Sequence, residues 1–385
     1  MANITLTALL ENIFAARDIV AMEPTGFIQG CMVNTSTNGV SIGGTVTSLR
    51  TPTPTLNTSV TPSMTIPDGD AQTLAVDTLT IGQTANVKIP LTGEQFRQLE
   101  NTIGSETALR DMFAQAMRVA RNAIEAHIGT IAYKGASRSF GTAGTTPFAS
   151  TINDVFSVGQ ILIDNGAPKD GQVSLVLNTT AGTKLKQVPN LYKANEAGTD
   201  SLLRRGELMN LDGMSIRESL GVATTTAGTA SSATTDNAGY AVGATVITLA
   251  SAGTGTILAG DSITFAGDSN KYVVSSGDAD VSNGGTITLA QPGLRVAMSA
   301  ATKAITVVAA AAQNSAFHKN AIELVVRPPL QPYGGDAAVD RVTVTDGVLV
   351  YDIAQYKGYL KAMYDLTVYY QAKVWKPEFV ATLLG

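Results

Sequence analysis

Leu6, Leu9, Leu10, Ile13, Phe14 and Arg17 recur at helical spacing and predict a short amphipathic helix near the N-terminus, on an arm loosened by Pro24, Gly26 and Gly30. Its apolar stripe needs a partner, on this chain or another. Residues 35–90 are rich in Thr, Ser, Pro and Gly, and their period-two runs at 40–49 and 74–89 predict two long antiparallel strands. Pro52, Pro54, Pro62 and Pro67 exclude helix between them, and Pro67-Asp68-Gly69 signals a turn at the tip. A ribbon so poor in apolar mass needs another molecule to lie on.

Residues 92–96 open a short helical stretch, and Ser105 with Glu106 begins a much longer one. Leu109, Met112, Phe113, Ala116, Met117, Ala120, Ile124, Ile128 and Ile131 give that helix an apolar face, and Lys134-Gly135 stops it. A span of about thirty residues is on the order of 45 Å long, a spine for the rest of the domain. Arg121 and Glu125 are placed on its polar face as an i, i+4 pair. A further helix from Ile152 to Asn165, a buried strand over 173–178 and a polar helix around Lys184 and Lys186 follow.

The composition then changes. Residues 223–316 are short Thr/Val/Ile runs punctuated by Gly and Asp, with predicted strands at 245–249, 262–265, 272–274, 286–289 and 305–308. A small barrel closes so many short edges economically, which predicts an inserted all-β module able to fold independently. From Phe317 the earlier composition resumes, with predicted closing strands at 340–351 and 366–375.

Composition narrows the function classes. Charged residues make up only 15% of the 385, which fits a surface largely covered by partners. The net charge of −5, with no Lys/Arg run longer than two, argues against tight or sequence-specific binding of nucleic acid. No apolar run is long enough to span a membrane, and the start lacks the basic region of a secretory signal. Cys31 is the single cysteine, so it reads as a small buried residue. His127 and His318, the two histidines, read as packed structural groups in the absence of any nucleophile motif. The glycines of 253–260 lack the Gly-Lys-Ser/Thr ending of a phosphate loop. Asp261, Asp268, Asp278 and Asp280 lack calcium-loop spacing and read as turn formers. No catalytic, cofactor or metal site is predicted. Arg204-Arg205, Lys184 and Lys186 read as a solvated face.

The order of these elements carries a resemblance. The string Ala259-Gly260-Asp261-Ser262-Ile263-Thr264-Phe265-Ala266-Gly267, the exit Ala316-Phe317-His318-Lys319-Asn320-Ala321-Ile322 and the ending Val374-Trp375-Lys376-Pro377-Glu378 fall within it. The chain resembles the major capsid (coat) protein of tailed bacteriophages, in the group with an inserted β-barrel typified by the coat protein of a short-tailed Salmonella phage. The resemblance implies an α+β capsid fold. Its parts would be an N-terminal arm over 1–36, an extended β-ribbon loop over 37–92 and a peripheral domain over 93–172 with spine helix 105–134. An axial domain would occupy 173–222 and 317–365, the inserted barrel 223–316, and a C-terminal strand over 366–385 would return to the peripheral domain.

It also implies a function. Many copies, as hexamers and pentamers, would form an icosahedral procapsid around a separately encoded scaffolding protein, with a portal at one vertex. The procapsid would expand on packaging double-stranded DNA, contacted non-specifically, in the cytoplasm of a bacterial host. No cofactor is implied. On the arm, Leu9, Leu10 and Phe14 are the expected assembly contacts, and Glu11 and Asp18 the expected contacts to a basic scaffold. The alternative is a β-rich adhesin or carbohydrate-binding virion protein, whose sugar platform would need Tyr240, Phe265 and Tyr272 exposed.

Overall fold

The computed structural model describes residues 23–50, 61–65, 75–101, 105–149, 151–192, 210–346 and 348–385. The chain enters through helix α1 (Gly26–Gly30) and strand β1 (Met32–Thr35). Strands β2 (Thr45–Arg50) and β3 (Ala75–Thr80) form an antiparallel pair of their own. Strand β4 (Gln83–Thr92) follows, then helices α2 (Gly93–Asn101) and α3 (Ser105–Lys134). Strand β5 (Arg138–Gly141), helix α4 (Asn153–Asp164) and strand β6 (Val173–Leu177) lead to helices α5 (Thr179–Lys186) and α6 (Pro189–Tyr192). After β7 (Asn210–Leu211) and β8 (Met214–Glu218) come β9 (Val246–Leu249), β10 (Ser262–Phe265), β11 (Lys271–Ser276), β12 (Gly285–Leu289) and β13 (Ile305–Val307). Strands β14 (Gln313–His318), β15 (Ile322–Arg327), β16 (Ala338–Asp346), β17 (Leu349–Gly358), β18 (Lys361–Val374) and β19 (Val380–Leu384) complete the chain.

Two sheets share the work. The first runs β1-β15-β18-β17-β16, with β4 on the other side of β18. Strand β18 is long enough to pair with β17 through its first half and β15 through its second, while β4 follows it from Lys361 to Tyr370. Being an edge strand, β4 tolerates Pro90, which has no N–H to give. Helix α3 lies on this sheet and buries Phe113, Met117, Ile124 and Ile128 against Tyr364, Leu366 and Val368. The second sheet runs β5-β19-β14-β6-β8-β7, and α4 and α5 cover it with Val155, Val158, Leu162 and Leu185.

Strands β9 to β13 surround a separate core that includes Ile247, Ile263, Phe265, Tyr272 and Ile287. Their ladder runs β9-β12-β11-β10-β13, and residues 233–236 hydrogen-bond to both of its ends, so the segments form a closed ring. On one side Ala250 N donates to Thr234 O, and on the other Thr235 N donates to Lys303 O, both at 2.9 Å. The ring is not detached. Strand β11 also pairs with β5 of the second sheet, and Val273 belongs to the core under α3.

The structure departs from the sequence reading at five places. The run 74–89 is not one strand: Gly43 N donates to Ile81 O and Ile81 N to Gly44 O, which ends the ribbon at β3 and sends β4 into the first sheet. The run 340–351 is two strands, β16 and β17, paired antiparallel with Asp346 opposite Leu349, a reversal that the apolar alternation hides. Residues 313–316, placed at the end of the insertion, lie buried in β14 between β19 and β6, where Asn314 donates to Leu383 O and accepts from Asn178 N. The end of the arm is packed, since α1 is buried and β1 pairs with β15. Finally, Glu125 lies inside the protein instead of on a polar helix face, for reasons given below. The Pro67-Asp68-Gly69 turn and Arg204-Arg205 lie outside the described residues.

Candidate functional site

The five predicted assembly residues, Leu9, Leu10, Glu11, Phe14 and Asp18, lie outside the described residues. What the structure does describe is how the chain just after them is anchored. Arg118 Nε donates to Glu23 Oε1 at 2.7 Å, and Asn122 donates to Glu23 Oε2. The Arg118 hydrogen bond, first among the causes, pulls the Glu23 carboxyl below the usual range. One turn further along α3, the Glu125 carboxylate accepts from Phe27 N at 2.7 Å, Ile28 N at 3.0 Å and the Ser219 hydroxyl at 2.6 Å. Phe27 stacks on Phe317 with ring centroids 5.9 Å apart.

Glu125 is only 2% exposed, and its burial raises its pKa despite those donors and the Arg121 charge. The helix face that carries it is polar only in isolation. The folded chain brings α1 and the approach to the ring across that face, and the first N–H groups of α1, which have no partner within their own helix, find this carboxylate. Glu125 therefore joins three segments: the root of the arm, the long helix, and the strand exit leading to the ring.

The other candidate groups have structural roles. His318 Nδ1 accepts from Asn320 N at 3.2 Å, which leaves the proton on Nε2 to face Asp170 at 3.1 Å. His127 packs edge-on against Tyr370, and burial lowers its pKa. Cys31 is buried and its thiol is pushed up to about 12, chiefly by desolvation. Lys186 pairs with Glu218 at 2.8 Å. Asp261 accepts from Leu258 N and Gly228 N, Asp268 from Tyr272 OH and Asn270, and Asp280 from Ser282 and Asn283, so each holds a local turn or side chain. Residues 253–260 lie along 229–233 in turns instead of opening a helix. Phe265 and Tyr272 are buried and Tyr240 bonds to Asp236, so these three form no exposed sugar platform. Among the described residues no group of His, Cys, Asp and Glu is arranged to hold a metal ion, and no helix is long and apolar enough to cross a membrane.

Sequence reasoning missed one perturbed carboxylate. Asp352, 3% exposed on β17, is raised to about 6 by desolvation, opposed by Arg341 Nε at 3.4 Å and reinforced by Asp336 and Asp365. Only the strand pairing brings these groups together, so no local signal marks them.

The fold as a whole is similar to that of solved phage capsid structures. The capsid structure of the cyanophage P-SCSP1u is similar over 94% of this chain and 89% of that one, with a TM-score of 0.51 at 12% identity. The mature capsid of bacteriophage PhiM1 matches over 94% and 87% of the two chains (TM-score 0.49, 13% identity), and a protein of Mycobacterium phage Che8 over 89% and 84% (TM-score 0.48, 13% identity). No family model and no curated protein matches the sequence.

Proposed function

We propose that this chain is a major capsid protein, and that its activity is assembly, not catalysis. Copies arranged as hexamers and pentamers build an icosahedral procapsid with a scaffolding protein and a portal, and the shell expands as it encloses double-stranded DNA. The observation that carries this reading is the likeness to the cyanophage capsid structure over nearly the whole of both chains. In this reading the ribbon is β2–β3, β4 belongs to the domain around α3, and the ring is an inserted barrel domain. Exposed apolar side chains at Ile42, Val76, Leu330, Tyr333, Tyr359 and Leu360 offer many small contacts, which add by multivalency in a closed shell. The negative net charge fits DNA that is enclosed instead of gripped.

Co-expression with the scaffold gene, followed by negative-stain electron microscopy and sedimentation velocity, tests the reading. Closed shells of uniform size are expected, and monomers or small oligomers at every concentration would refute it. The arm carrying Leu9, Leu10, Glu11, Phe14 and Asp18 is needed for assembly or scaffold recruitment. A chain starting at Ala21 is therefore expected to fold but not to form normal shells. If normal shells appear, the arm has no such role.

A further inference from the structure

A cleft of about 450 Å³ opens at the seam between the ring and the second sheet, with β5, α4 and the Ser269–Lys271 turn as its walls. Arg138 enters it from β5 with its side chain only 6% exposed. One of its bonds is of ordinary strength, from Nη1 to Asn270 Oδ1 at 3.0 Å. The Nη2 contacts are long: 3.4 Å to Ile161 O, 3.4 Å to Asp164 Oδ2 and 3.5 Å to Asn165 Oδ1. Nε–H is buried and has no acceptor among the described residues. Among the described residues the one carboxylate paired with this guanidinium, Asp164, has its side chain 37% exposed, so water weakens what it supplies. A buried cation left so incompletely paired is costly.

A second cation lines the cleft. Lys271 lies on its wall with Nζ donating to Gly141 O, and Thr142 and Gln160 line the same space. Asp268 nearby is already engaged by Tyr272 OH at 2.6 Å and Asn270 Nδ2 at 2.7 Å. Two cations therefore line the cleft against one carboxylate. Burial pulls both Arg138 and Lys271 below their usual pKa ranges, a penalty that an anion in the cleft would relieve.

We infer that this cleft is a binding site for a small oxyanion, a carboxylate or phosphate group, gripped by the Arg138 fork with Lys271 and Gln160 beside it. The terminal nitrogens of a planar guanidinium, whose Nη2 contacts here are all long, match the paired oxygens of such a group. The anion comes either from solution or, if the chain forms shells as proposed above, from an acidic side chain of a second copy.

Isothermal titration of the unassembled full chain with inorganic phosphate and with acetate, at constant ionic strength, tests the site. Saturable binding is expected. Gln160→Glu places a like charge in the cleft from the exposed face of α4, leaves the Arg138 contacts intact, and is expected to weaken phosphate binding at least about tenfold while the thermal unfolding transition is kept. Lys271→Gln is expected to weaken it in the same direction. No saturable binding of either anion, or binding that Gln160→Glu leaves unchanged, overturns the inference. Where binding is confirmed, adding phosphate during assembly identifies the source. Reduced shell yield assigns the cleft to a neighbouring copy's carboxylate, and unchanged yield assigns it to a free anion. If no shells form in any condition, the shell reading fails while the titration still decides the cleft.

Discussion

Asp352 sits between opposing charges. Arg341 favours its ionised form, while burial and the carboxylates of Asp336 and Asp365 oppose it, and opposition wins, placing its pKa at about 6 against an ordinary 3.8. A carboxyl whose pKa is raised by folding binds its proton more tightly in the native state. Its contribution to stability is therefore greatest below about pH 3.8 and is lost as pH rises through about 6. The difference corresponds to about 3 kcal/mol at neutral pH as an upper bound. Asp352→Asn is thus expected to stabilise the unassembled chain at pH 7 by about 1–3 kcal/mol, with the gain fading below about pH 4. Urea unfolding of both proteins across that range checks it, and a variant less stable than the parent at pH 7 would show that the Arg341 pair outweighs burial.

Elements in this chain are set by local chemistry and adjusted by neighbours. Helix α2 begins with a reciprocal capping box, in which Gln95 N donates to Thr92 Oγ1 at 3.3 Å and Thr92 N to Gln95 Oε1 at 3.0 Å. Asn178 caps α5 by accepting from Ala181 N at 2.8 Å. Helix α3 contains a case where propensity and packing disagree. Ala at Gly129 would favour the helix by about 1 kcal/mol. However, a Cβ there would run into the Gly221 carbonyl and press on the Phe27 ring. Backbone on the far side cannot yield as a flexible side chain does. Gly129→Ala is therefore expected to destabilise the chain by about 1–3 kcal/mol, read as a lower urea midpoint at unchanged slope. A rise in the midpoint would mean that the segment leading to the ring gives way freely. That same segment explains why Glu125 looked like an ordinary surface member of an i, i+4 pair.

At the scale of the whole molecule, the ring has its own core and closed hydrogen bonding, yet it is fastened to the rest by β11–β5 pairing, by Arg138 to Asn270, and by Ser139 to Ser262 at 2.8 Å. Residues 223–316 expressed alone are expected to give a dispersed amide spectrum, with slow exchange inside the ring. Val273 N, which donates to Ser137 O in the full chain, should exchange quickly. A collapsed spectrum would show that the seam, not the ring core, supplies the stability.

The sequence by itself determined the long helix, the short strands of the ring, the small helices and their order, because each is written in local periodicity, caps and turn residues. It also carried the resemblance to phage coats, which lies in that order. Only the tertiary structure decided that the 74–89 run splits between ribbon and sheet, that polar Gln313, Asn314 and Ser315 form a buried strand, and that Arg138 and Glu125 are interior charges joining distant segments. Those outcomes depend on partners distant along the chain, from Gly43 for Ile81 to Phe27 for Glu125 and Asn270 for Arg138. Pairing across such separations is fixed by how sheets and helices meet, which no window of sequence contains.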